Sequence, residues 1–534
     1  MSSISTGKVA GGVFARTSSG LVRTVSTFDT FFYCLVQLAI PYVMFNVAYW
    51  VFYPGANMEL AAIIALVAAL GEGITYALFS SVYPRSGGEY VPLSRTTHPL
   101  LGFVASFGQT FWQIYYFGVN GAFAASIGVA PLFSVLGLQL QSTALTDIGK
   151  FFASPVGWFV FGIVMIAFFS GQLYQGMRTY FRVQKWAFSI ALVCYGVFIL
   201  VLILGSVGVF NFEASFNKYV GPDAFTTLLK DARDAGVDLA PAFDLRTTLY
   251  FAIWPAFSFL FAVLSVAFSG EIKNVERGQL IGIAGAQLVG GVLVILTSLF
   301  ARLAISSQGL LAAGYVSAVE PDKFPLPYAW LTLLTSVMAD NVVLTVIINA
   351  TAVILITYVA ASTAIYATRG LLAWGIDGMG PSLLGQVSER HRSPTYAILV
   401  TAVLGTIILA IYSFTDWVRV LSGLAPMGIV FMITTFVGMI FPFTHRKAYQ
   451  SSPAKIEVAG IPLMTITGLI GGGVTAFLVY RAIVDVNYGA NAPVSMAMMI
   501  GVFAIGVIWY FVARAVRKGQ GVNMDARFEE IPIE

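Results

Sequence analysis

The sequence predicts an all-α integral membrane protein with about twelve transmembrane helices. Of its 534 residues, 58% are hydrophobic and only 10% are charged, whereas about 25% of the residues of a typical soluble domain are charged. Apolar runs of roughly 20 residues, the length that crosses the hydrocarbon core of a bilayer, recur between short polar breaks. Lipid is therefore the expected solvent for most of the chain.

Twelve apolar runs are the predicted spans, taken in chain order. They lie at 28–53, 59–82, 99–128, 154–175, 184–210, 247–270, 279–304, 340–373, 395–412, 417–443, 461–482 and 493–515. A long polar stretch with a helical pattern, 211–246, separates the fifth run from the sixth. Lysine and arginine concentrate in the N-terminal tail and in the alternate loops on its side of the membrane, which predicts that both termini are cytoplasmic.

The polar residues argue against several other classes of protein. A net charge of +4 gives no basis for nucleic-acid binding. The two cysteines, Cys34 and Cys194, lie inside apolar runs, where neither a disulfide nor a zinc cluster is expected. The three histidines, His98, His391 and His445, fall in loops, so the clustered intramembrane groups of a membrane enzyme are missing. We expect no enzyme activity and no metal or other cofactor.

The first and sixth spans each carry a proline deep inside the apolar run. Pro41 lies in the first span and Pro255 in the sixth, five spans apart. Proline removes a backbone donor and breaks or kinks a helix, and the freed backbone groups must face protein or a wet cavity. Paired breaks in two halves predict a transporter site at the midplane, between inverted repeats of five spans. The alternative is coincidence, because proline is common in transmembrane helices.

Three segments between the spans resemble the signatures of one family. PRSGGEY (84–90) resembles the Pro-Arg-x-Gly-Gly-x-Tyr loop of the amino acid–polyamine–organocation (APC) superfamily. GEIKN (270–274) is similar to its Glu-Val-Lys-Asn signature, and TRGLLAWGIDGMGP (368–381) to its Ser-Arg-x-x-x-Ala-x-x-Arg-Asp-Gly-x-x-Pro. The motifs fall between the same helices as in the family, and the resemblance covers roughly residues 25–515.

The resemblance implies a LeuT-like fold and a permease function. Such a fold has a 5+5 inverted repeat with broken helices 1 and 6, plus two added helices. The expected organisation is a cytoplasmic tail (1–27), the first repeat (28–210), an extracellular loop (211–246), the second repeat (247–443), two added spans (444–515) and a cytoplasmic C-terminal tail (516–534). The resemblance implies a secondary active transporter that moves an amino acid or related amine across the cell membrane by alternating access. We expect the protein to be a monomer or homodimer in the bilayer, with a small-molecule substrate.

Charged residues of the three motifs are the predicted cytoplasmic gate. They are Arg85, Glu271, Lys273 and Arg369. Glu271 and Lys273 stand where a moving sixth helix would meet the cytoplasm, so they could pair with neighbouring charges in one state only. The alternative is that these charges anchor the helix ends and pair at the surface, where ion pairs contribute little energy.

The resemblance places the substrate against the broken first and sixth helices, where helix ends and freed carbonyls carry partial charges. The candidates are Ala39, Ile40, Pro41 and Tyr42 on the first helix and Trp254, Phe257, Ser258 and Phe259 on the sixth, whose break is expected between 255 and 262. For the aromatic residues the alternative is packing against lipid or the core. The family's glycines are absent from both breaks, and the bulk of Ile40 and Tyr42 argues against ordinary small amino acids.

The third span adds a polar face. Five residues share one side of the helix at helical spacing: Gln109, Trp112, Gln113, Tyr116 and Asn120. Amides are costly against lipid, so this face is expected to look inward. It either lines the pocket or joins helices by hydrogen bonds. Aromatic rings with neutral amides would suit an amine or a bulky, aromatic or amide-bearing amino acid.

Transport is expected to be coupled to H+ or Na+. Glu72, the most embedded acid, could carry a proton or pair with a substrate amine, or it could simply reach water or a neighbouring helix. Thr357, Ser362 and Thr363 offer hydroxyls for a sodium ion, or they bond to their own helix backbone. Other readings of the whole chain are a transporter of another small organic solute (a polyamine or nucleobase), a channel, or a sensor on the same fold.

Overall fold

Long apolar helices account for most of the structure. The computed structural model describes residues 20–38, 40–419 and 421–529, and within these ranges 11 helices have the length and composition of a membrane span. They are Met58–Val82, Pro99–Gln139, Pro155–Tyr174, Met177–Ser206, Leu245–Ala267, Val275–Ile305, Val342–Asp377, Thr395–Phe414, Leu424–Thr444, Leu463–Val484 and Pro493–Gly519. The predicted all-α membrane fold is confirmed.

The first predicted span is not among these 11 helices, because it is broken into short pieces. Together with them it gives twelve spans. Its pieces are the α-helix Thr27–Gln37, the 3-10 turn Ile40–Tyr42, the α-helix Val43–Tyr49 and the 3-10 turn Trp50–Phe52. No single piece is long enough to cross a bilayer alone. We call residues 27–52 the first span and number the others second to twelfth in chain order.

Local sequence signals explain where several spans begin. Ser26 and Asp29 form a capping box, in which each side chain accepts a hydrogen bond from the other residue's backbone N–H. Asn57 caps the second span by accepting a hydrogen bond from the N–H of Leu60 at 2.7 Å. Pro155 stands in the first turn of the fourth span, where its missing N–H costs nothing.

The spans pack as two related sets of five followed by two more. The first span packs on the seventh span, and the sixth span packs on the second. Since the first and sixth spans hold equivalent places in the two sets, as do the second and seventh, these two contacts are equivalent. The second and seventh spans pack together, as do the third and eighth and the fourth and ninth. Because each set has five crossings, the second set enters the membrane in the opposite direction to the first. The eleventh span packs on the second and tenth, and the twelfth on the third.

Shorter elements connect the spans. They are the helices Tyr90–Thr96, Thr143–Phe152, Phe212–Val220, Ala224–Asp234, Ser307–Val319, Leu331–Ala339, Arg446–Gln450 and Met524–Glu529, the 3-10 turns Ser269–Glu271, Pro321–Lys323 and Ser382–Gly385, and a hairpin of Glu457–Val458 and Ile461–Pro462. We call the end of the bundle that holds Val25, paired with Ile272, and the helix Met524–Glu529 the termini side. The opposite end, which carries residues 207–244, is the loop side.

The third span is longer than predicted. The sequence predicts an end at about residue 128, but the helix continues to Gln139. A wider π-helical turn, Ala124–Val129, comes just before Pro131. Such a turn relaxes the backbone ladder, so the helix passes the proline without ending.

Candidate functional site

The first and sixth spans are both broken, and their pieces pack against each other. The helix Thr27–Gln37 contacts the 3-10 segment Leu260–Ala267, and the helix Val43–Tyr49 contacts the helix Ile253–Phe259. Irregular backbone at membrane depth is therefore enclosed by protein, as a lipid environment requires. The predicted break of the first span near Pro41 is present as the 3-10 turn Ile40–Tyr42.

The sixth span is interrupted twice. Its first helix ends at Phe251 and a second begins at Ile253, so one interruption lies at Ala252, before the predicted window of 255–262. The second lies inside that window, where the α-helix ends at Phe259 and 3-10 geometry begins. Pro255 does not itself break the helix, because it stands in the first turn of the restarted piece, where proline is tolerated.

A small cavity lies beside the two breaks. Its volume is about 30 Å³, and its lining residues are Gln37, Tyr42, Gln113, Tyr116, Asn120, Phe261, Leu264, Val359 and Thr363. This is enough room for a water molecule or two. The cavity as it stands is too small for a solute of amino-acid size.

Two amide groups of the cavity wall have unpaired atoms. Gln113 and Asn120 are each 1% exposed, yet Oε1 of Gln113 and Nδ2 of Asn120 have no hydrogen-bond partner. The Tyr42 hydroxyl donates to Oδ1 of Asn120 at 2.5 Å. Leaving a buried polar atom unpaired costs free energy. One free acceptor and one free donor on the same helix are consequently available to a bound solute.

A second cavity of about 150 Å³ lies on the loop side of the first. Its lining is mainly aromatic: Tyr42, Phe45, Tyr49, Tyr115, Tyr116, Phe123, Trp254, Tyr412, Arg419, Leu421, Ser422 and Tyr488. Trp254 stacks on Tyr49, with ring centroids 4.5 Å apart. Tyr42 and Tyr116 line both cavities and so form the partition between them. We call this second cavity the aromatic vestibule.

Among the lining residues of these two cavities, Arg419 is the one with a cationic side chain. Its Nη1 atom is 2.9 Å from Oδ1 of Asp416, and its other nitrogens donate to the carbonyls of Tyr412 and Ser413. The guanidinium charge is thus held at the rim of the vestibule, in contact with an acid and with helix carbonyls.

The predicted substrate residues fall into three groups. Tyr42, Gln113 and Tyr116 line the central cavity, and Trp254 lines the vestibule. Ile40, Gln109, Ser258 and Phe259 are buried outside the two linings. Ala39 and the side chains of Pro41 and Phe257 lie outside the described residues.

The termini side is closed by a buried ion pair. Nε and Nη2 of Arg369 donate to the two carboxylate oxygens of Glu271 at 2.9 and 3.2 Å. The two side chains are 1% and 3% exposed. A bidentate pair of this kind has a fixed geometry, so it joins the end of the sixth span to the eighth.

A second buried ion pair reinforces this closure. Nη2 of Arg95 is 2.7 Å from Oδ2 of Asp377, and both side chains are nearly inaccessible to solvent. Of the other predicted gate residues, Arg85 donates to the carbonyl of Pro84. Lys273 has an exposed side chain, and its backbone N–H donates to the carbonyl of Val25 at 3.0 Å.

A glycine turn ties the same region to the sixth span. The N–H of Gly87 donates to the carbonyl of Ala267 at 2.8 Å. Gly87 and Gly88 have φ values of +117° and +64°, which residues with side chains avoid. A Cβ on Gly87 would be 2.7 Å from that of Ala373, and one on Gly88 would overlap the Tyr366 hydroxyl. This tight turn therefore needs both glycines.

The candidate sodium ligands are bonded to their own helix. Ser362 and Thr363 donate to the carbonyls of Val359 and Ala360, both at 2.7 Å. Thr357 donates to Ile354 at 2.9 Å. Only Thr363 among the three lines the central cavity. Within the described residues, no group of three or more His, Cys, Asp or Glu side chains could hold a metal ion.

Glu72, the candidate proton carrier, is fully buried against the eleventh span. Its Oε2 atom accepts a hydrogen bond from the Thr475 hydroxyl at 2.9 Å, and its Oε1 atom has no partner. It does not reach water at the bundle surface, one of the alternatives considered for it. It lies outside the linings of both cavities, so it does not contact a solute there.

Sequence reasoning missed two residues that stand out in the structure. Gln37 lines the central cavity, and Glu89 is a second fully buried acid. Asn120, which the helical spacing places on the face of Gln113 and Tyr116, also lines the cavity. Glu89 gave no signal of burial, because it lies in a polar loop where an acid is ordinary.

Comparison with known proteins gives one match. The family model described as amino acid permease matches residues 8–508, which is nearly the whole chain. No curated protein matches it.

Proposed function

Because the chain belongs to the amino acid permease family of the APC superfamily, and is thus a multi-pass membrane transporter for a small molecule, we propose that it is a secondary active transporter of an amino acid or related amine. It works by alternating access to the central cavity. The observation that carries the proposal is the different closure of the cavity's two ends. Buried ion pairs lie at the termini side, whereas the side chains of Tyr42 and Tyr116, which line both cavities, stand between the central cavity and the vestibule.

The distribution of basic residues supports an assignment of the two sides. Lysine and arginine are enriched in the loops that share a side with both termini, which favours the cytoplasm for that side and the cell membrane as the location. On this assignment the aromatic vestibule faces the outside. The described conformation is then closed to the cytoplasm, and its central cavity is too small to hold a substrate. The aromatic partition lies on the side of this cavity that faces the outside.

The cavity linings favour a zwitterion or a monoamine over a polyamine. No Asp or Glu occurs among the lining residues of either cavity, so a solute with several positive charges would lack an opposite charge. An α-carboxylate can accept from Nδ2 of Asn120, and an ammonium or amide N–H can donate to Oε1 of Gln113. Aromatic faces such as those of Tyr42 and Tyr116 attract a cationic amine.

A fully buried acid favours a proton over sodium as the coupling ion. Glu72 is 0% exposed, and an intramembrane acid is a candidate proton carrier. The hydroxyls of Ser362 and Thr363 donate to carbonyls of their own helix. Because their oxygen lone pairs remain open to a cation, these two contacts do not decide between the two ions.

Thermal unfolding of the purified protein with a panel of amino acids, amines and nucleobases, each with and without sodium, tests the substrate class. A ligand at 100 times its Kd stabilises the folded state by about 2.7 kcal/mol. We expect stabilisation by one or more amino acids or monoamines without a sodium requirement. Stabilisation by nucleobases or polyamines alone would contradict the proposed substrate.

Counterflow in proteoliposomes tests transport by the stabilising compound. Unlabelled compound inside the vesicles should drive transient accumulation of the labelled compound, because an alternating-access carrier exchanges solutes through one site. A channel would equilibrate the label without accumulation, and a sensor would bind it without moving it. Either result would reject the proposed mechanism.

A further inference from the structure

Three buried polar atoms without hydrogen-bond partners lie in succession near the termini side. They are Oε1 of Glu72, the hydroxyl oxygen of Tyr76 and Oε1 of Glu89. The side chains of Glu72 and Glu89 are 0% exposed and that of Tyr76 is 2% exposed. Leaving such atoms unpaired costs free energy, and these three belong to two acids and a tyrosine, all of which can exchange a proton.

Helix geometry and packing place these residues in order. Tyr76 follows Glu72 by one turn of the second span, which puts both on the same face. The Tyr76 hydroxyl lies within interaction range of both carboxyl groups, within hydrogen-bonding reach of that of Glu89, and also in contact with the Thr434 side chain. The other oxygen of each acid is occupied: Oε2 of Glu72 accepts from Thr475, and Oε2 of Glu89 accepts from the Tyr366 hydroxyl. Each acid therefore keeps one oxygen for the tyrosine between them.

No basic residue is paired with either acid within the described part of the chain. The titratable and charged groups on the surrounding elements are Tyr33 of the first span, Glu271 at the end of the sixth, Tyr366, Arg369 and Asp377 of the eighth, and Tyr90 and Arg95 of the short helix Tyr90–Thr96. Arg369 is taken by Glu271 and Arg95 by Asp377. An unpaired ionised carboxylate is very costly in such surroundings, so buried acids take up protons instead.

The position of Glu89 connects this group to the closure of the termini side. Glu89 directly follows the turn at Gly87 and Gly88. In this turn the N–H of Gly87 donates a hydrogen bond to the carbonyl of Ala267 in the sixth span. Its partner Tyr366 lies one turn before Arg369, which holds Glu271. Separation of the sixth and eighth spans would bring water to Glu89, while Glu72 would stay in the membrane interior.

We propose that Glu72, Tyr76 and Glu89 form a proton relay that carries a proton between the interior of the second span and water on the termini side. The proposal rests on the proposed transport function and names the groups that couple it to a proton. In the step, the O–H bond of Glu72 breaks and its proton passes to the Tyr76 hydroxyl oxygen. That hydroxyl gives its own proton to the Glu89 carboxylate, so tyrosine is unchanged and one proton has moved from Glu72 to Glu89.

The direction of the pH effect follows from burial. Burial raises the pKa of the Glu89 carboxyl while the termini side is closed, and exposure to water would return it toward its ordinary value of about 4.3. The closed state therefore binds the proton more tightly than the open state. Low pH on the termini side favours closure, and this preference is lost as the pH rises through the raised pKa, when opening releases the proton.

The relay is tested by comparing proton-driven uptake with counterflow in the same proteoliposomes, using the amino acid that most stabilises the protein. We expect Glu89→Gln and Tyr76→Phe each to lower the ratio of driven uptake to counterflow roughly 100-fold, the low end of the loss for a positioned proton-transfer group. A pH-sensitive dye inside the vesicles should report proton entry with substrate in the unaltered protein and none in the variants.

Matched variants separate the relay from general damage. Glu59→Gln changes an acid at the loop-side end of the same span, where it pairs with Arg302. Tyr195→Phe changes a buried tyrosine whose hydroxyl bonds to Thr297 in another part of the bundle. Both should keep the ratio of the unaltered protein. If Glu89→Gln does not fold, Tyr76→Phe carries the test, because it removes one oxygen and no charge.

The possible failures are distinguishable. Absence of counterflow in the unaltered protein for every compound of the panel would overturn the proposed function itself. Counterflow in the unaltered protein, with an unchanged ratio and unchanged proton entry in Tyr76→Phe and any folded Glu89→Gln, would overturn the relay alone. Proton entry that responds to Glu72→Gln but not to Tyr76→Phe would also overturn it, since the path would bypass the tyrosine.

Discussion

Single side chains decide how this permease is closed and what it can hold. The ion pair of Glu271 and Arg369 is buried on both sides, and such a pair is strongly stabilising relative to a structure that has lost one partner. In the central cavity two buried polar atoms, Oε1 of Gln113 and Nδ2 of Asn120, have no hydrogen-bond partner. One set of residues favours the closed state, and the other leaves free energy that a substrate can recover.

Loss of one partner of the termini-side ion pair should destabilise the closed state. Glu271→Gln leaves Arg369 buried without its carboxylate, a change that costs roughly 3 kcal/mol or more. We expect a lower unfolding temperature, measured by thermal denaturation, and partial recovery when Arg369→Gln is added. Glu59→Gln is the control, because its pair with Arg302 is partly exposed and such pairs contribute at most about 1 kcal/mol. Equal losses in the two single variants would contradict a specific role for the gate pair.

Loss of the free amide donor should weaken substrate binding. Asn120→Ala removes Nδ2 from the cavity wall, and a hydrogen bond to a charged group contributes roughly 1.5 kcal/mol or more. The Kd of the amino acid that stabilises the protein should rise about tenfold, as measured by ligand-dependent thermal shift. Ser126→Ala, on the same helix, is the control, since the Ser126 hydroxyl bonds to the carbonyl of Ala122. An unchanged Kd in Asn120→Ala would place the substrate elsewhere.

At the scale of elements, the sequence predicted the breaks better than the contacts. Pro41 and Pro255 marked the interrupted spans because proline has no N–H to complete a helix. The interruption at Ala252 lies just before the first turn that holds Pro255, so the proline marked the restart of the helix, whereas the prediction placed the break after it. The partner of Glu271 could not be chosen among several arginines, because Arg369 is 98 positions away and the choice depends on how the spans pack. Ser362 and Thr363 were recognised as polar, but only the fold decides whether a hydroxyl faces a cavity or its own helix.

The turn before the short helix Tyr90–Thr96 is the element most sensitive to a small change. Gly88→Ala puts a Cβ at a φ of +64° and against Tyr366. Backbone strain of this type costs about 1–3 kcal/mol, so the unfolding temperature should fall. Gly196→Ala in the fifth span is the matched control: nothing lies within 4 Å of its added Cβ, and alanine is the better helix former by roughly 0.5–1 kcal/mol. A tolerated Gly88→Ala would show that the turn does not need glycine.

At the scale of the whole molecule, composition and motif order were sufficient to predict the class. A chain with 10% charged residues must use lipid as its solvent, and the order of the three motifs assigned the spans to two halves. The cavities were not predictable in this way, because their shape depends on side chains from several spans that are distant in sequence. Tyr42 and Tyr116 together form the partition between cavity and vestibule, a role that neither residue reveals alone.

In the proposed mechanism this conformation is one state of a cycle that opens to the termini side. Cys34 provides a native reporter of that opening. It is 0% exposed and lies beside Ser265, between the first helix and the sixth span. If these elements separate during transport, the thiol becomes accessible to a water-soluble maleimide.

The most direct test is the labelling rate of Cys34 in the Cys194→Ala background, in lipid nanodiscs. We predict slow labelling that increases about tenfold or more on Glu271→Gln, because losing roughly 3 kcal/mol from the closed state shifts its equilibrium with the open state by at least that factor. Glu59→Gln should leave the rate as it was. Rapid labelling of the parent protein, or an equally slow rate in parent and Glu271→Gln, would contradict the claim that this ion pair closes an alternating-access site.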